Sequence, residues 1–211
     1  MLAKRYRFYF SRDLPSCFIS HLDMVRLFER SFRRLNIKLK FTEGFNPHPK
    51  ITFILPMAVG LCSPEEMFEV DVEEDLDEKV VERLNLILPK GLKVLKIEEA
   101  IDKIQVSDMY YKCFIEAEED FCKHFEEFME KSPKIKREKD GKVTFRSVWD
   151  YLIGYECQKK EDNIELIFHI KVVNGSYIKP EDILKAFSEE YNIEYKIIRV
   201  EREKVNYQRV I

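Results

Sequence analysis

The sequence predicts an α+β fold made of two tandem ferredoxin-like halves, each with the element order βαββαβ and an antiparallel sheet. Two observations lead to this prediction. Short segments with alternating apolar residues are interleaved with segments whose apolar residues recur every three to four positions. The same outline of strands and helices then appears twice along the 211 residues. We therefore predict two domains, residues 1–104 and residues 105–211.

The first half begins with a strand that alternates basic and aromatic residues and places Tyr6, Phe8 and Phe10 on one face. A helix follows from an N-cap at Ser20 to about residue 34. The residues that we expect this helix to bury are Leu22, Val25, Phe28, Phe32 and Leu35. A second helix is predicted over residues 77–88, and strands over residues 5–12, 37–41, 51–55, 67–72 and 92–98.

The second half repeats this outline with one addition. A hairpin turn is predicted at Asp140-Gly141, between two basic segments that form a modest second patch for anions. Pro180 opens the last helix, because proline is favoured in the first turn. Helices are predicted over residues 120–130 and 180–191, and strands over residues 110–117, 134–138, 143–146, 164–173 and 195–201.

Charge is distributed unevenly along the chain. Residues 1–60 contain 11 Lys and Arg against 4 Asp and Glu, a net charge of +7, whereas residues 61–132 have a net charge of −12. The basic part is a candidate anion-binding face, and the acidic part opposes indiscriminate binding of nucleic acid. No apolar run is long enough for a membrane span, and no signal peptide is evident. A cytoplasmic protein is expected.

Several chemistries lack their sequence motifs. There is no Walker A, GxGxxG, GxSxG or HExxH sequence. The five cysteines are widely spaced and odd in number, so we expect unpaired thiols and neither disulfides nor a clustered metal site.

The candidate site lies within residues 20–56. Its helix carries four arginines, of which Arg26, Arg30 and Arg33 are expected on one face. Guanidinium groups can bind two phosphate oxygens at once. This face is therefore either a phosphate-binding row or a solvated surface in which Glu29 pairs with Arg33. The residues predicted to bind an anion or RNA are Arg26, Arg30, Arg33, Arg34, Ser20, Asn46 and Lys50.

A loop rich in glycine and proline follows the helix and the next predicted strand. Its restricted backbone can hold Asn46 and His48 in fixed positions, although a purely structural turn is the alternative. We expect the loop and the arginine helix to line one shared cleft. The predicted loop-forming residues are Gly44, Phe45, Pro47 and Pro49.

Two histidines are candidates for proton transfer. His21 stands in the first turn of the helix, next to Asp23, which is predicted to serve as a capping partner. His21 and His48 could act as acid and base, or His21 could be an ordinary surface residue. Two histidines without a third ligand do not predict a metal site.

The segments YFSRDLPSCFISHLDMVRLFERSFRR, FTEGFNPHPKITFILP and EEMFEVDV resemble the radical-SAM-associated family of proteins of unknown function. The resemblance is strong over residues 4–72 and thinner afterwards. It covers the serine, histidine, aspartate and arginines of the helix and the whole glycine-proline loop. It implies a radical SAM protein as partner, with the iron–sulfur cluster and S-adenosylmethionine bound by that partner and no cofactor bound by this chain.

We therefore expect a bacterial-type accessory protein that binds RNA or phosphate, presents a substrate to a radical SAM enzyme, and has no activity of its own. One alternative is a metal-independent enzyme, similar to RNA-processing proteins, that uses His21 and His48. The other is a protein–protein adaptor without a ligand, which would expose a large apolar patch.

Overall fold

The structure, a computed structural model, describes residues 3–118, 120–139 and 141–210. Contacts divide the chain into two compact units. The first comprises the chain up to residue 106 together with the part from residue 207 onward, and the second comprises residues 107–206. Helices and mostly antiparallel strands make up both units, which confirms the mixed α+β class. The domain boundary between residues 104 and 105 stays a prediction.

The first unit is built around four strands and two helices. Its elements are β1 (Lys4–Arg12), α1 (His21–Arg34), β2 (Ile51–Phe53), β3 (Leu61–Val72), α2 (Lys79–Asn85) and β4 (Leu92–Glu99). All strand pairs within the unit are antiparallel, in the order β4-β1-β3-β2. Tyr6, Phe8 and Phe10 of β1 are buried, as predicted from their alternation.

Phenylalanines form the core of this unit and fix the rotation of α1. Phe8 stacks on Phe68 with ring centroids 5.1 Å apart, and Phe28 of α1 lies 4.3 Å from Phe68. Phe28 and Phe32 are fully buried. Because residues four apart share one face of a helix, burying these two determines which residues of α1 face outward.

Two predictions for this unit are wrong. Residues 37–41 do not form a strand and make only isolated bridges, at Leu39 and Phe41. The segment divides its backbone hydrogen bonds between Asp71 and Glu73 on one side and Lys50 on the other, so no continuous ladder develops. Leu22 is 68% exposed, because it stands six residues before Phe28 and therefore off the buried stripe.

The second unit combines a sheet, two helices and a separate hairpin. Its elements in chain order, of which the first and the last extend beyond residues 107–206, are β5 (Ile104–Ala117), α3 (Phe121–Glu130), β6 (Lys134–Lys139), β7 (Lys142–Ser147), β8 (Leu152–Lys159), β9 (Ile164–Lys171), α4 (Pro180–Tyr191) and β10 (Tyr195–Arg209). The sheet has the order β10-β5-β9-β8, and β6 pairs with β7 alone. Phe121 of α3 packs on Phe187 of α4 with ring centroids 5.0 Å apart.

Strand β8 is absent from the sequence prediction. Its sequence contains Gly154 and several exposed residues, so its alternation is weak. Strands β5 and β10 also extend well beyond the predicted segments. The predicted turn at Asp140-Gly141 includes Asp140, which lies outside the described residues.

The expectation of unpaired thiols is wrong for two cysteines. Cys122 of α3 and Cys157 of β8 form a disulfide, with Cα atoms 5.6 Å apart. That distance suits a disulfide, and α3 packs against β8 to create it. The 35-residue separation hides the pairing from sequence inspection. Cys17, Cys62 and Cys113 are buried thiols that form no disulfide within the described residues, and burial raises the pKa of Cys113.

The longest helix of the described chain, α1, has 14 residues. None of the described helices has the length and apolarity needed to cross a membrane. A cytoplasmic location stays a prediction.

Candidate functional site

Hydrogen bonds among three side chains fix the N-terminus of α1. The backbone N–H of Asp23 donates to Ser20 Oγ (3.2 Å), and the Ser20 hydroxyl donates to Asp23 Oδ2 (2.7 Å). Arg26 Nη1 donates to Asp23 Oδ1 (3.2 Å). The hydrogen bond from Ser20, and then that from Arg26, lowers the pKa of Asp23. Ser20 and Asp23 are thus engaged in capping the helix, and Arg26 is oriented toward its N-terminal end.

Three arginines of α1 line one groove of about 500 Å³. Arg26, Arg30 and Arg34 are spaced four residues apart and therefore form a row along one side of the helix. The apolar residues that line the same groove are Ile19, Leu27, Ile87 and Pro89. The groove thus combines a cationic wall with an apolar surface.

Two arginines of this row form no ion pair among the described residues. In the described part of the chain, no Asp or Glu lies within 4.0 Å of the guanidinium of Arg30 or Arg34. Arg26 pairs with Asp23, but both side chains are more than half exposed, and such pairs contribute little to stability. An oxyanion in the groove would meet three cations and a single carboxylate.

Arg33 does not line this groove. It pairs with Glu29 at 2.7 Å, and its guanidinium lies over the ring of Phe41 at 5.8 Å. Helix geometry places Arg33 within about 60° of both Arg26 and Arg30, so its absence from the groove follows from these side-chain contacts and not from its position on the helix. The third arginine of the groove is Arg34, and Arg33 faces the segment that carries the glycine-proline loop.

The glycine-proline loop is an exposed turn closed by short hydrogen bonds. Thr42 N–H donates to the carbonyl of His48 (2.9 Å), and His48 N–H donates to Thr42 Oγ1 (3.1 Å). His48 Nδ1 lies 3.2 Å from the carbonyl oxygen of Asn46. Phe45 is fully exposed at the tip, next to Gly44, whose φ of +126° suits glycine. Lys50 closes the turn by donating its N–H to Lys40 O.

His21 is held by a different element. Its ring packs edge-on against Phe53 of β2, with centroids 5.2 Å apart, and its Nδ1 is buried without a hydrogen-bond partner among the described residues. No hydrogen bond or ring contact between His21 and His48 occurs in the part of the chain that the structure describes.

The expected cleft shared by α1 and the loop differs from the groove that is present. The described residues lining the groove of Arg26, Arg30 and Arg34 include none from the loop. The wall of the groove opposite the arginines is formed instead by Ile87 and Pro89, which follow α2. The structure brings three of the predicted arginines together in a groove whose described lining contains no residue of the loop.

Sequence reasoning missed a polar cluster in the second unit. His169 Nε2 lies 2.8 Å from Asp108 Oδ1, Asn206 Nδ2 donates to the same oxygen (2.6 Å), and Ser107 Oγ donates to Asp108 Oδ2 (2.7 Å). Burial alone would raise the pKa of Asp108, but these hydrogen bonds lower it. The ring of His169 stacks on Tyr110 at 4.0 Å. The pairing register of β5 and β9, which brings Asp108 close to His169, is the signal that would have indicated this cluster.

Within the described residues, no group of three or more His, Cys, Asp or Glu is arranged to hold a metal ion. The cofactor expectation, with cluster and S-adenosylmethionine in a partner, stays a prediction.

The chain belongs to the bacterial family described as "Uncharacterized protein conserved in bacteria (DUF2344)", whose model matches residues 5–180. No curated protein matches the sequence significantly. An unknown protein from Galdieria sulphuraria aligns over 99% of both chains at 10% identity, with a TM-score of 0.28. A putative glycine cleavage system transcriptional repressor aligns over 100% of both chains at 8% identity, with a TM-score of 0.23. Both TM-scores are too low to support a conclusion about fold or function.

Proposed function

We propose that this protein is an accessory module that binds RNA, or another phosphate-bearing chain, along the row of Arg26, Arg30 and Arg34. The observation that carries the proposal is the row itself, in which two of three guanidiniums lack a carboxylate partner among the described residues. Four residues of α-helix rise about 6 Å, so the row spans about 12 Å. This length suits several successive phosphates of a single strand.

The apolar side of the groove supports a single-stranded ligand. Proteins that bind single strands commonly combine cations for the backbone with apolar or aromatic surface for the bases. Leu27, Ile87 and Pro89 offer such a surface opposite the arginines. A bound strand would place its phosphates on the arginines and its bases or riboses against these residues.

The strand orders support ferredoxin-like architecture for both units. The strand order is β4-β1-β3-β2 in the first unit and β10-β5-β9-β8 in the second. In both units the last strand along the chain therefore lies beside the first. This is the arrangement expected for a βαββαβ unit. Likeness of fold does not itself assign a function, so the proposal depends on the groove.

A radical SAM enzyme enters the proposal as partner through the sequence resemblance. Phe18 and Val59 offer it an apolar docking surface, since each of these side chains is more than half exposed. The hydrogen bond from Gly60 N–H to Cys17 O (2.8 Å) brings the segments of Phe18 and Val59 together. Exposed apolar patches mark protein interfaces. The adaptor function is therefore compatible with phosphate binding.

The enzyme alternative has less support. It requires two imidazoles that reach one substrate. His21 packs on Phe53, whereas His48 contacts Thr42 and Asn46 in an exposed turn. The accessory role does not depend on either imidazole.

Fluorescence anisotropy with a labelled single-stranded RNA of about twelve nucleotides tests the proposal. The variant with Arg26, Arg30 and Arg34 all replaced by Gln should bind at least about tenfold more weakly. Its affinity should also depend less on salt, with a log–log slope shallower by about 2, because each lost phosphate contact on a single strand removes about 0.7.

Arg33→Gln is the matched control for Arg34→Gln, because the two residues are adjacent in α1 and carry the same charge. Only Arg34→Gln should weaken binding of the RNA. Equal losses from the two variants, or wild-type binding that does not change with salt, would show that the row is not the binding site.

A further inference from the structure

A second cationic cavity lies entirely within the second unit. It has a volume of about 410 Å³ and is bordered by the β6–β7 hairpin, the turn after β9 and the first turn of α4. Pockets for small ligands have volumes from about 300 Å³ upward. The hairpin packs against α4, so the walls of the cavity belong to elements that support one another.

The register of the hairpin directs two arginines to the cavity. Ile135 is buried, and Arg146 stands directly opposite it in the β6–β7 ladder. Arg137 is two residues after Ile135 and therefore lies on the same face. Arg137 and Arg146 both line the cavity, together with Lys136.

The opposite wall adds a further cation and the positive end of a helix. Lys179 lines the cavity and is the N-cap of the 12-residue helix α4, whose start has no side-chain capping bond. The N-terminus of a helix favours anions. Tyr177, half-buried, lines the same wall and follows a tight turn in which Val173 and Ser176 exchange backbone hydrogen bonds of 2.8 and 2.9 Å.

These cations are not neutralised within the described chain, where no carboxylate lies within 4.0 Å of Lys136, Arg137, Arg146 or Lys179. Asp182 is the acidic residue that lines the cavity. It stands in the first turn of α4, where the helix dipole stabilises a negatively charged carboxylate. The guanidinium of Arg146 lies over the ring of Tyr151 at 5.5 Å, which orients it without cancelling its charge.

We propose that this cavity binds a nucleoside monophosphate, with the phosphate held by Arg137, Arg146 and Lys179 and the base stacked on Tyr177. Lys136 follows the buried Ile135 and therefore stands on the other face of β6. The remaining three cations, against one carboxylate, favour a dianionic group, and guanidiniums provide paired donors for its oxygens. The volume of about 410 Å³ lies within the range of pockets for small ligands. The inference does not rest on the arginine row of the first unit.

Isothermal titration calorimetry of the full chain with AMP, inorganic phosphate and adenosine tests the site. AMP should bind at least about tenfold more tightly than either fragment, because the phosphate and the ring have separate partners. Absence of AMP binding, or affinity for phosphate equal to that for AMP, would overturn the proposal.

Variants locate the binding. Arg146→Gln should weaken AMP binding by about tenfold or more, since it removes charged hydrogen bonds to the phosphate. Lys185→Gln is the matched control, because Lys185 lies on α4 outside the cavity and pairs with Glu189. Equal effects of these two variants would also overturn the proposal. The triple variant of Arg26, Arg30 and Arg34 should keep its AMP affinity, which separates this inference from the proposed RNA site.

Discussion

Arginines on β1 and on α1 have the same chemistry and opposite surroundings. Arg7 of β1 is buried and pairs with Glu69 (2.8 Å), Glu98 (3.1 Å) and Asp102 (3.4 Å). Arg30 of α1 is exposed and has no carboxylate within 4.0 Å among the described residues. Strand pairing places Glu69 and Glu98 opposite Arg7, whereas the helical neighbours of Arg30 are other arginines. A net charge counts cations and does not say which remain available to a ligand.

The largest effect expected from this comparison is on stability. Arg7→Met leaves Glu69, whose side chain is 12% exposed, with the half-exposed Arg5 at 3.8 Å in place of its buried partner. Removing one member of a buried ion pair costs about 3–5 kcal/mol. We expect the free energy of unfolding, measured by urea denaturation, to fall by about 3 kcal/mol. This is the lower end of the range, because Glu98 is partly solvated and its loss of Arg7 therefore costs less.

Arg34→Met is the control for this substitution. It removes the same charge from an exposed position and should change the free energy of unfolding by no more than about 0.5 kcal/mol. Similar losses from both variants would show that the arginines of β1 and α1 are equally engaged in the fold.

A smaller and pH-dependent effect is expected at Asp108. Its pKa is lowered in the folded state by hydrogen bonds from His169, Ser107 and Asn206, against the effect of burial. The ionised carboxylate therefore contributes stability above the unfolded pKa of about 3.9, and this contribution is lost as the pH falls through the folded value. Asp108→Asn should cost about 1–2 kcal/mol at pH 7, from lost charged hydrogen bonds.

Urea denaturation of wild type and Asp108→Asn between about pH 7 and pH 2.5 measures this contribution. The difference between the two proteins should shrink below about pH 4. The exposed Asp23 provides the comparison, since its pKa is also lowered but its partners are solvated, and Asp23→Asn should show a smaller difference. A constant difference at Asp108 across this range would contradict the prediction.

The sequence could predict features that depend on neighbours along the chain. The start of α1 at Ser20 and the burial of Phe28 and Phe32 follow from local spacing. The disulfide of Cys122 and the pairing of His169 with Asp108 depend instead on packing or strand register across 35 and 61 residues. The groove belongs to this second kind, because its opposite wall comes from residues after α2.

The smallest expected effect is a difference between two arginines of α1. Arg30 has like charges at i−4, i+3 and i+4, namely Arg26, Arg33 and Arg34, whereas Arg33 has Glu29 at i−4 and Arg30 at i−3. Like and opposite pairs at these spacings change helix stability by about 0.2–0.5 kcal/mol each, and Gln has nearly the helix propensity of Arg. At low salt, Arg30→Gln should therefore raise the free energy of unfolding by about 0.6 kcal/mol or more, whereas Arg33→Gln, which loses one attraction and one repulsion, should change it by less than about 0.3 kcal/mol.

The gain in Arg30→Gln should disappear near 1 M salt, where the screening length falls to about 3 Å. Urea denaturation of both variants at low and high salt measures these changes. Differences this small are resolved when the denaturation midpoints are compared with one shared value of the slope of free energy against urea concentration. A loss of stability in Arg30→Gln at low salt would mean that the row is already stabilised within the fold and is not held ready for a phosphate. A gain would mean that the protein keeps a repulsive row of cations at the expense of its own stability, which is the arrangement expected of a binding surface.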